Sequence, residues 1–218
     1  MKKTLGGKKI LITSGPVWVP IDKVRIITSI FGGALGAVMA EKAAEMGADV
    51  LLAMGPGRAK IGSSKNLKVI KFKYFDELFS LMKKEISSKK YDAVIHSAAV
   101  PDYMPKSIYA GKIKSGKSDL IIKMKPTVKI VDYIKKWDPS VCLVKFKLEV
   151  AKQEKELIKI AKKSMDRSKA DIIVANDLDK MTKDKQPAFI IGKDRTKSIF
   201  TKENIANELL KIIGQFQK

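Results

Sequence analysis

From position 9 onward, short runs that are apolar at nearly every residue alternate with segments whose apolar residues recur at helical spacing. A strand that is apolar throughout is buried on both faces, so a chain built of such strands must cover its sheet with helices on both sides. The alternation predicts an α/β fold, a Rossmann-like three-layer sandwich with a mostly parallel sheet. Strands are expected at residues 9–14, 48–54, 67–73, 91–98, 119–124, 142–148 and 171–176, with short ones at 188–192 and 198–201. Helices are expected at 33–47, 75–88, 127–137, 151–168 and about 202–216. Ligands of such folds bind beyond the carboxyl ends of the strands. Two long irregular stretches lie there, 15–32 and 99–118, and loops of that length inside a domain usually carry function. Residues 1–218 are expected to form one domain, with a flap protruding at about 100–126.

Composition narrows the function classes. A hydrophobic content of 45% over 218 residues is enough to fill a sizeable core. No stretch approaches the ~20 consecutive apolar residues of a membrane helix. Residues 1–7 lead into the first strand without an apolar leader, so a cytoplasmic protein is expected. The single cysteine, Cys142, sits in an apolar run and reads as a buried thiol, with no second cysteine for a disulfide. The net charge of +21 raises nucleic acid as a partner, but only four of the 44 basic residues are arginine. Base-reading surfaces lean on the bidentate guanidinium. Lysines spread along the whole chain favour instead a small anionic ligand such as a triphosphate or a phosphorylated acid.

Familiar phosphate motifs are present only in fragments. Gly32-Gly33-Ala34-Leu35-Gly36 resembles the tail of a dinucleotide fingerprint, but Phe31 stands where another glycine belongs and no acid ends the second strand. These glycines serve equally well for tight helix-to-sheet packing. Residues 57–64 have P-loop spacing with Ser63 in place of the lysine, and read as a turn. The only histidine, His96, ends an apolar run, so neither a His-rich metal site nor a Ser-His-Asp triad can be assembled. What remains is a charge-stabilising site, suited to nucleotidyl transfer onto a carboxylate.

Several segments carry a resemblance. They are Ile-Leu-Ile-Thr-Ser-Gly-Pro at 10–16, Pro-Ile-Asp-Lys-Val-Arg at 20–25, His-Ser-Ala-Ala-Val-Pro-Asp-Tyr at 96–103, Lys-Ile-Lys at 112–114, Phe-Lys-Leu-Glu at 146–149, and Asp-Ile-Ile-Val-Ala-Asn-Asp at 171–177. Together, in this order, they resemble the phosphopantothenate-cysteine ligase family, the synthetase domain of the DNA/pantothenate metabolism flavoproteins, and most closely its stand-alone bacterial form. The resemblance implies a two-step ligase of coenzyme A biosynthesis. The carboxylate of 4'-phosphopantothenate attacks the α-phosphate of a nucleotide, CTP or ATP, and cysteine then displaces the nucleotide from the acyl intermediate. It further implies nucleotide contacts at Gly15, Gly33, His96, Ser97, Ala98, Ala99, Asp102, Lys112, Val128, Lys129, Ile130, Val131 and Phe146. Lys112 and Ser29 would be catalytic, and Arg25, Ser29 and Asn176 would meet the acid substrate. Mg²⁺ accompanying the triphosphate, no dedicated protein metal site, and a homodimer with each flap near the other subunit's site complete the expectation.

The departures from the family pattern matter as much. Ser29 stands where the family has an asparagine that holds the acyl-nucleotide carbonyl, and Phe31 and Gly32 replace a hydroxyl pair. Val17 and Val19 replace a threonine and a glutamate. Ser164 and Ser168 occupy places where the family often has lysines facing the phosphates, with Lys163, Arg167 and Lys169 adjacent. A serine has a shorter reach than asparagine and one donor instead of two, so a slow or altered second step is expected. The alternative is a degenerate paralogue that binds nucleotide or phosphopantothenate without completing ligation.

Overall fold

β1 (Lys9–Ser14) is buried at five of its six residues, as its unbroken apolar run requires. In this computed structural model, which describes residues 4–116, 118–182 and 184–217, β1 pairs in parallel with β4 (Asp49–Met54) on one side and β6 (Ala93–His96) on the other. The first three residues, part of the expected leaderless start, lie outside the described residues. Beyond β4 lies β5 (Leu67–Lys71), and beyond β6 lie β9 (Cys142–Glu149) and β10 (Ile172–Asp177), all parallel. Two antiparallel strands, β11 (Ala188–Ile191) and β12 (Thr196–Ile199), close that edge. The six parallel strands follow the spatial order third-second-first-fourth-fifth-sixth of a doubly wound nucleotide-binding fold. Chain direction across the sheet reverses between β1 and β6, and a crevice opens there beyond their carboxyl ends.

Helices cover both faces because alternate strand residues point to each. Ile10, Ile12, Leu52, Ile95 and Val144 meet α1 (Ala34–Glu45) and α5 (Lys202–Gln215) through Met39, Ala40, Leu209 and Ile213. Leu11, Leu51, Val94 and Leu143 meet α2 (Phe75–Ser87) and α3 (Val131–Trp137) through Leu78, Met82 and Ile134. α4 (Glu154–Ser168) adds Leu157 and Ala161 against Ile173, Ala175 and Ile191. Each fully buried Leu or Ile contributes about 1.5–3 kcal/mol, so these two layers dominate the stability. Among the described residues no helix is long and apolar enough to cross a membrane.

α1 lies close on β1 because Gly36 has no side chain. A Cβ there would lie 2.2 Å from Ser14 Oγ, which itself donates to Gly33 O at 2.8 Å. Gly36→Ala should therefore push the helix off the strand and destabilise the fold by ~1–3 kcal/mol. Thermal unfolding would register this as a midpoint lowered by ~2–10 °C.

Three expectations are corrected. The strand expected at 119–124 is instead β8 (Met124–Pro126), which pairs with β7 (Tyr103–Pro105) in a separate two-stranded sheet. Leu120 and Ile121 are exposed and have no neighbouring strand to join. The helix expected from 127 starts at 131, because the Thr127 N–H bonds to Asp102 O at 2.9 Å and holds that stretch against the loop after β6. The loop after β1 contains a small ribbon, β2 (Val19–Pro20) with β3 (Ile26–Ile27), too short for any sequence period to reveal.

Candidate functional site

A cavity of about 910 Å³ opens at the reversal point. Its walls come from the end of β1, the start of α1, the loop after β6, the stretch leading into α3, β9, α4 and β10. Gly15, Ser29, Gly33, His96, Ser97, Ala98, Ala99, Asp102, Val128, Lys129, Ile130, Val131, Phe146 and Asn176 all line it. Parallel strands bring these residues together although more than 160 positions separate the first from the last.

β1 and β6 remain tied past their ends. Ala99 N donates to Gly15 O at 3.0 Å, and Val17 N to Ala99 O at 3.0 Å. Thr13 Oγ1 accepts the Ala98 N–H at 3.1 Å and lies 2.9 Å from His96 Nδ1. This contact, together with the Ala98 bond, fixes the orientation of the imidazole at the end of β6. Burial, aided by the nearby Lys145 cation, lowers His96 to about 4, so the ring is neutral at physiological pH. It is a fixed dipole rather than a cation. Gly33 adopts a left-handed φ of 85° directly before α1, and a Cβ there would lie 3.0 Å from Gly15 Cα. Only glycine lets those two loops approach so closely.

The charge balance of the cavity is one-sided. Lys129, Lys145, Lys147, Lys163, Arg167 and Lys202 line it, against Asp102 as the single carboxylate among the described residues. Asp102 pairs with Lys129 at 3.2 Å, and both side chains are exposed, so that contact is worth under about 1 kcal/mol and yields readily to a ligand. Among the described residues two hydroxyls are buried without a partner: Ser29 Oγ and Thr127 Oγ1. Both belong to the cavity wall. Asn176 is buried and its Nδ2 donates to Pro187 O at 2.8 Å, which fixes the amide.

Two residues expected at the site are elsewhere in this chain. Arg25 does not line the cavity; its guanidinium bonds the buried Asp22 carboxylate at 2.5 Å and reaches Ile113 O at 3.3 Å. Asp22 also accepts the N–H groups of Val24, Arg25 and Ile113 at 2.8, 2.6 and 3.0 Å. These bonds, that of Ile113 foremost, lower its carboxyl to about 2. The Pro-Ile-Asp-Lys-Val-Arg segment is thus a latch that pins the flap at Gly111 and Ile113. Lys112 lies between those pinned residues, exposed and away from the cavity of its own chain.

This architecture is shared with known proteins. The family described as the DNA/pantothenate metabolism flavoprotein C-terminal domain matches residues 5–216. The chain belongs to this family. Relatives include the coenzyme A biosynthesis bifunctional protein CoaBC of Thermococcus kodakarensis, 34% identical over 209 residues that make up 95% of this chain and 51% of that protein. The CoaBC protein of Borreliella burgdorferi is 30% identical across 97% of this chain and 54% of its own length. The chain spans about half the length of these curated relatives. Among solved structures, the DNA/pantothenate metabolism flavoprotein from Streptococcus pneumoniae superposes with a TM-score of 0.90 at 31% identity, covering 97% of this chain and all of that one. The C-terminal domain of a CoaBC protein gives 0.79 at 28% identity, covering 98% and 97%.

The serines at 164 and 168 meet a cation that sequence reasoning missed. Lys145, from β9, sends its Nζ to Ser164 Oγ at 2.9 Å, Ser164 O at 3.0 Å and Ser168 Oγ at 3.1 Å. Its signal was a pair of lysines, Lys145 and Lys147, inside a strand otherwise read as apolar, of which Lys145 is the buried one. The depressed His96 also has a measurable consequence. The unfolded imidazole takes up a proton below about 6.5, the folded one only near 4. The stability this provides is complete above pH 6.5 and is lost progressively as the pH falls toward 4. Thermal midpoints measured across that window should decline, and His96→Gln should flatten that part of the profile.

Proposed function

We propose that this chain is a phosphopantothenate-cysteine ligase of coenzyme A biosynthesis, which uses a nucleoside triphosphate, CTP before ATP, to activate the acid. The observation that carries this reading is the cavity at the reversal point, where six cationic side chains face one carboxylate among the described residues while the short side chains of Ala98 and Ala99 leave room for a base or ribose. Membership of the family, and relatives whose names place them in coenzyme A biosynthesis, support it.

In the first step a carboxylate oxygen of phosphopantothenate bonds to the α-phosphorus and the bond to the β-phosphate oxygen breaks. Lys163, Arg167 and the Lys145 charge are placed to neutralise the departing pyrophosphate. In the second, the cysteine amine bonds to the acyl carbon, the nucleoside monophosphate leaves, and the amine loses a proton. Negative charge grows on the acyl oxygen there, and the free Ser29 hydroxyl is the donor available to it. Among the described residues no group of three acidic, cysteine or histidine side chains could hold a metal, and Asp102 already has Lys129. Mg²⁺ therefore fits as an ion carried on the triphosphate rather than in a protein cage. Lys112 fits a role in trans, delivered by a pinned flap to the partner's cavity in a homodimer.

Release of pyrophosphate is the direct test of the first step. Pyrophosphate should appear from CTP only when phosphopantothenate is present, and more slowly from ATP. Absence of release with either nucleotide, despite nucleotide binding, would favour the non-ligating paralogue.

A further inference from the structure

Lys145 is only 4% exposed, and among the described residues no carboxylate lies within ion-pair distance of it. All three of its N–H bonds go to oxygens of Ser164 and Ser168 on α4. A buried ammonium with neutral partners alone is costly, and a well-packed apolar side chain would be more stable. The three hydrogen bonds offset part of that cost, and an anion brought close would offset more. Ser164 lines the cavity whereas Ser168 does not, and because Ser164 Oγ accepts from Lys145, its own proton is free to be donated into the cavity. Ser168 Oγ is directed back to the carbonyls of Ser164 and Met165.

We propose that Lys145 and Ser164 form one fixed anion-binding element, in which the Ser164 hydroxyl donates to a phosphate oxygen and the ammonium behind it supplies the charge. This rests on the nucleotide reading given above and extends it to a charge delivered from the sheet rather than from the helix or flap. Lys145 is a positioning residue, acting through Ser164. The groups around it are the neutral His96 on β6, Asp132 on α3, Lys129 before that helix, Arg167 on α4 and Lys147 on β9. Burial lowers the ammonium to about 8, with Asp132 opposing and Arg167 adding to the fall. The element should lose its charge as the pH rises through that value, a range in which the triphosphate is already fully ionised.

The test is calorimetric titration of the full chain with CTP between pH 7 and 9.5, in buffers of different ionisation enthalpy. The natural protein should bind more weakly above pH 8 and take up protons on binding there. Lys145→Met should bind roughly 10- to 100-fold more weakly at pH 7, with a flat pH profile, no proton uptake and a raised unfolding midpoint. Ser164→Ala, which keeps the ammonium but removes the presenting hydroxyl, should lose part of that affinity and keep the pH dependence. If Lys145→Met binds CTP as tightly as the natural protein, or keeps its pH profile, Lys145 merely caps the end of α4 and the inference is overturned. Failure of the natural chain to bind CTP, ATP or pyrophosphate would overturn the functional reading and this inference together.

Discussion

Ser29→Ala should slow amide formation by about 10²-fold while leaving pyrophosphate release nearly unchanged. The two steps separate because the hydroxyl has no work to do until charge develops on the acyl oxygen. Ser29 Oγ is buried, belongs to a residue of the cavity wall and has no hydrogen-bond partner among the described residues, none of which competes for its proton. Donors fixed in advance and shielded from water are those that contribute most to a transition state. Ser29→Asn lengthens the reach and adds a second N–H, and should accelerate the same step. Quenched-flow measurement of acyl-nucleotide and amide in one reaction reads both effects. Equal slowing of the two steps in Ser29→Ala would assign the residue to binding or folding instead.

Asp22→Asn should unlatch the flap with the first loop intact. Oδ1 accepts from Val24 N and Arg25 N, while Oδ2 accepts from the Arg25 guanidinium and Ile113 N. An asparagine can keep its oxygen toward the loop, but its NH₂ then faces two further donors. The tie to the flap is lost and the tie within the loop survives. Hydrogen exchange at the Ile113 amide should speed up by ~10-fold or more, since a local opening no longer breaks a charge-assisted bond. Ligation should fall by a similar factor where a pinned flap carries Lys112 to the partner's site. Unchanged exchange at Ile113 would refute the latch, and faster exchange with undiminished ligation would remove the flap from catalysis.

Most strands and helices were legible because each rests on a local pattern, whereas the strand order that sets the reversal point was not. Apolar runs such as 10–14 or 142–144, alternating with helical segments, read as buried strands, and the expectation that ligands bind beyond their carboxyl ends followed from that alternation. The hydrogen bonds that build the site were not legible. Thr13 with His96 and Asp22 with Ile113 join residues 83 and 91 positions apart, and no period records such a pairing. The family pattern identified the Arg25 segment as important but not its role, since a motif does not say whether a guanidinium faces a ligand or a carboxylate three residues before it. The same holds for Lys145. A lysine inside an otherwise apolar strand passed unremarked in the sequence, and only the fold showed which hydroxyls lay around it.

The most direct test of ligase function is product analysis of a complete reaction with CTP, phosphopantothenate and cysteine by mass spectrometry. One 4'-phosphopantothenoyl-cysteine, one pyrophosphate and one CMP should form per CTP consumed, with Ser29→Asn raising the rate. Tight CTP binding with no amide product, in the natural protein and in Ser29→Asn alike, would contradict it.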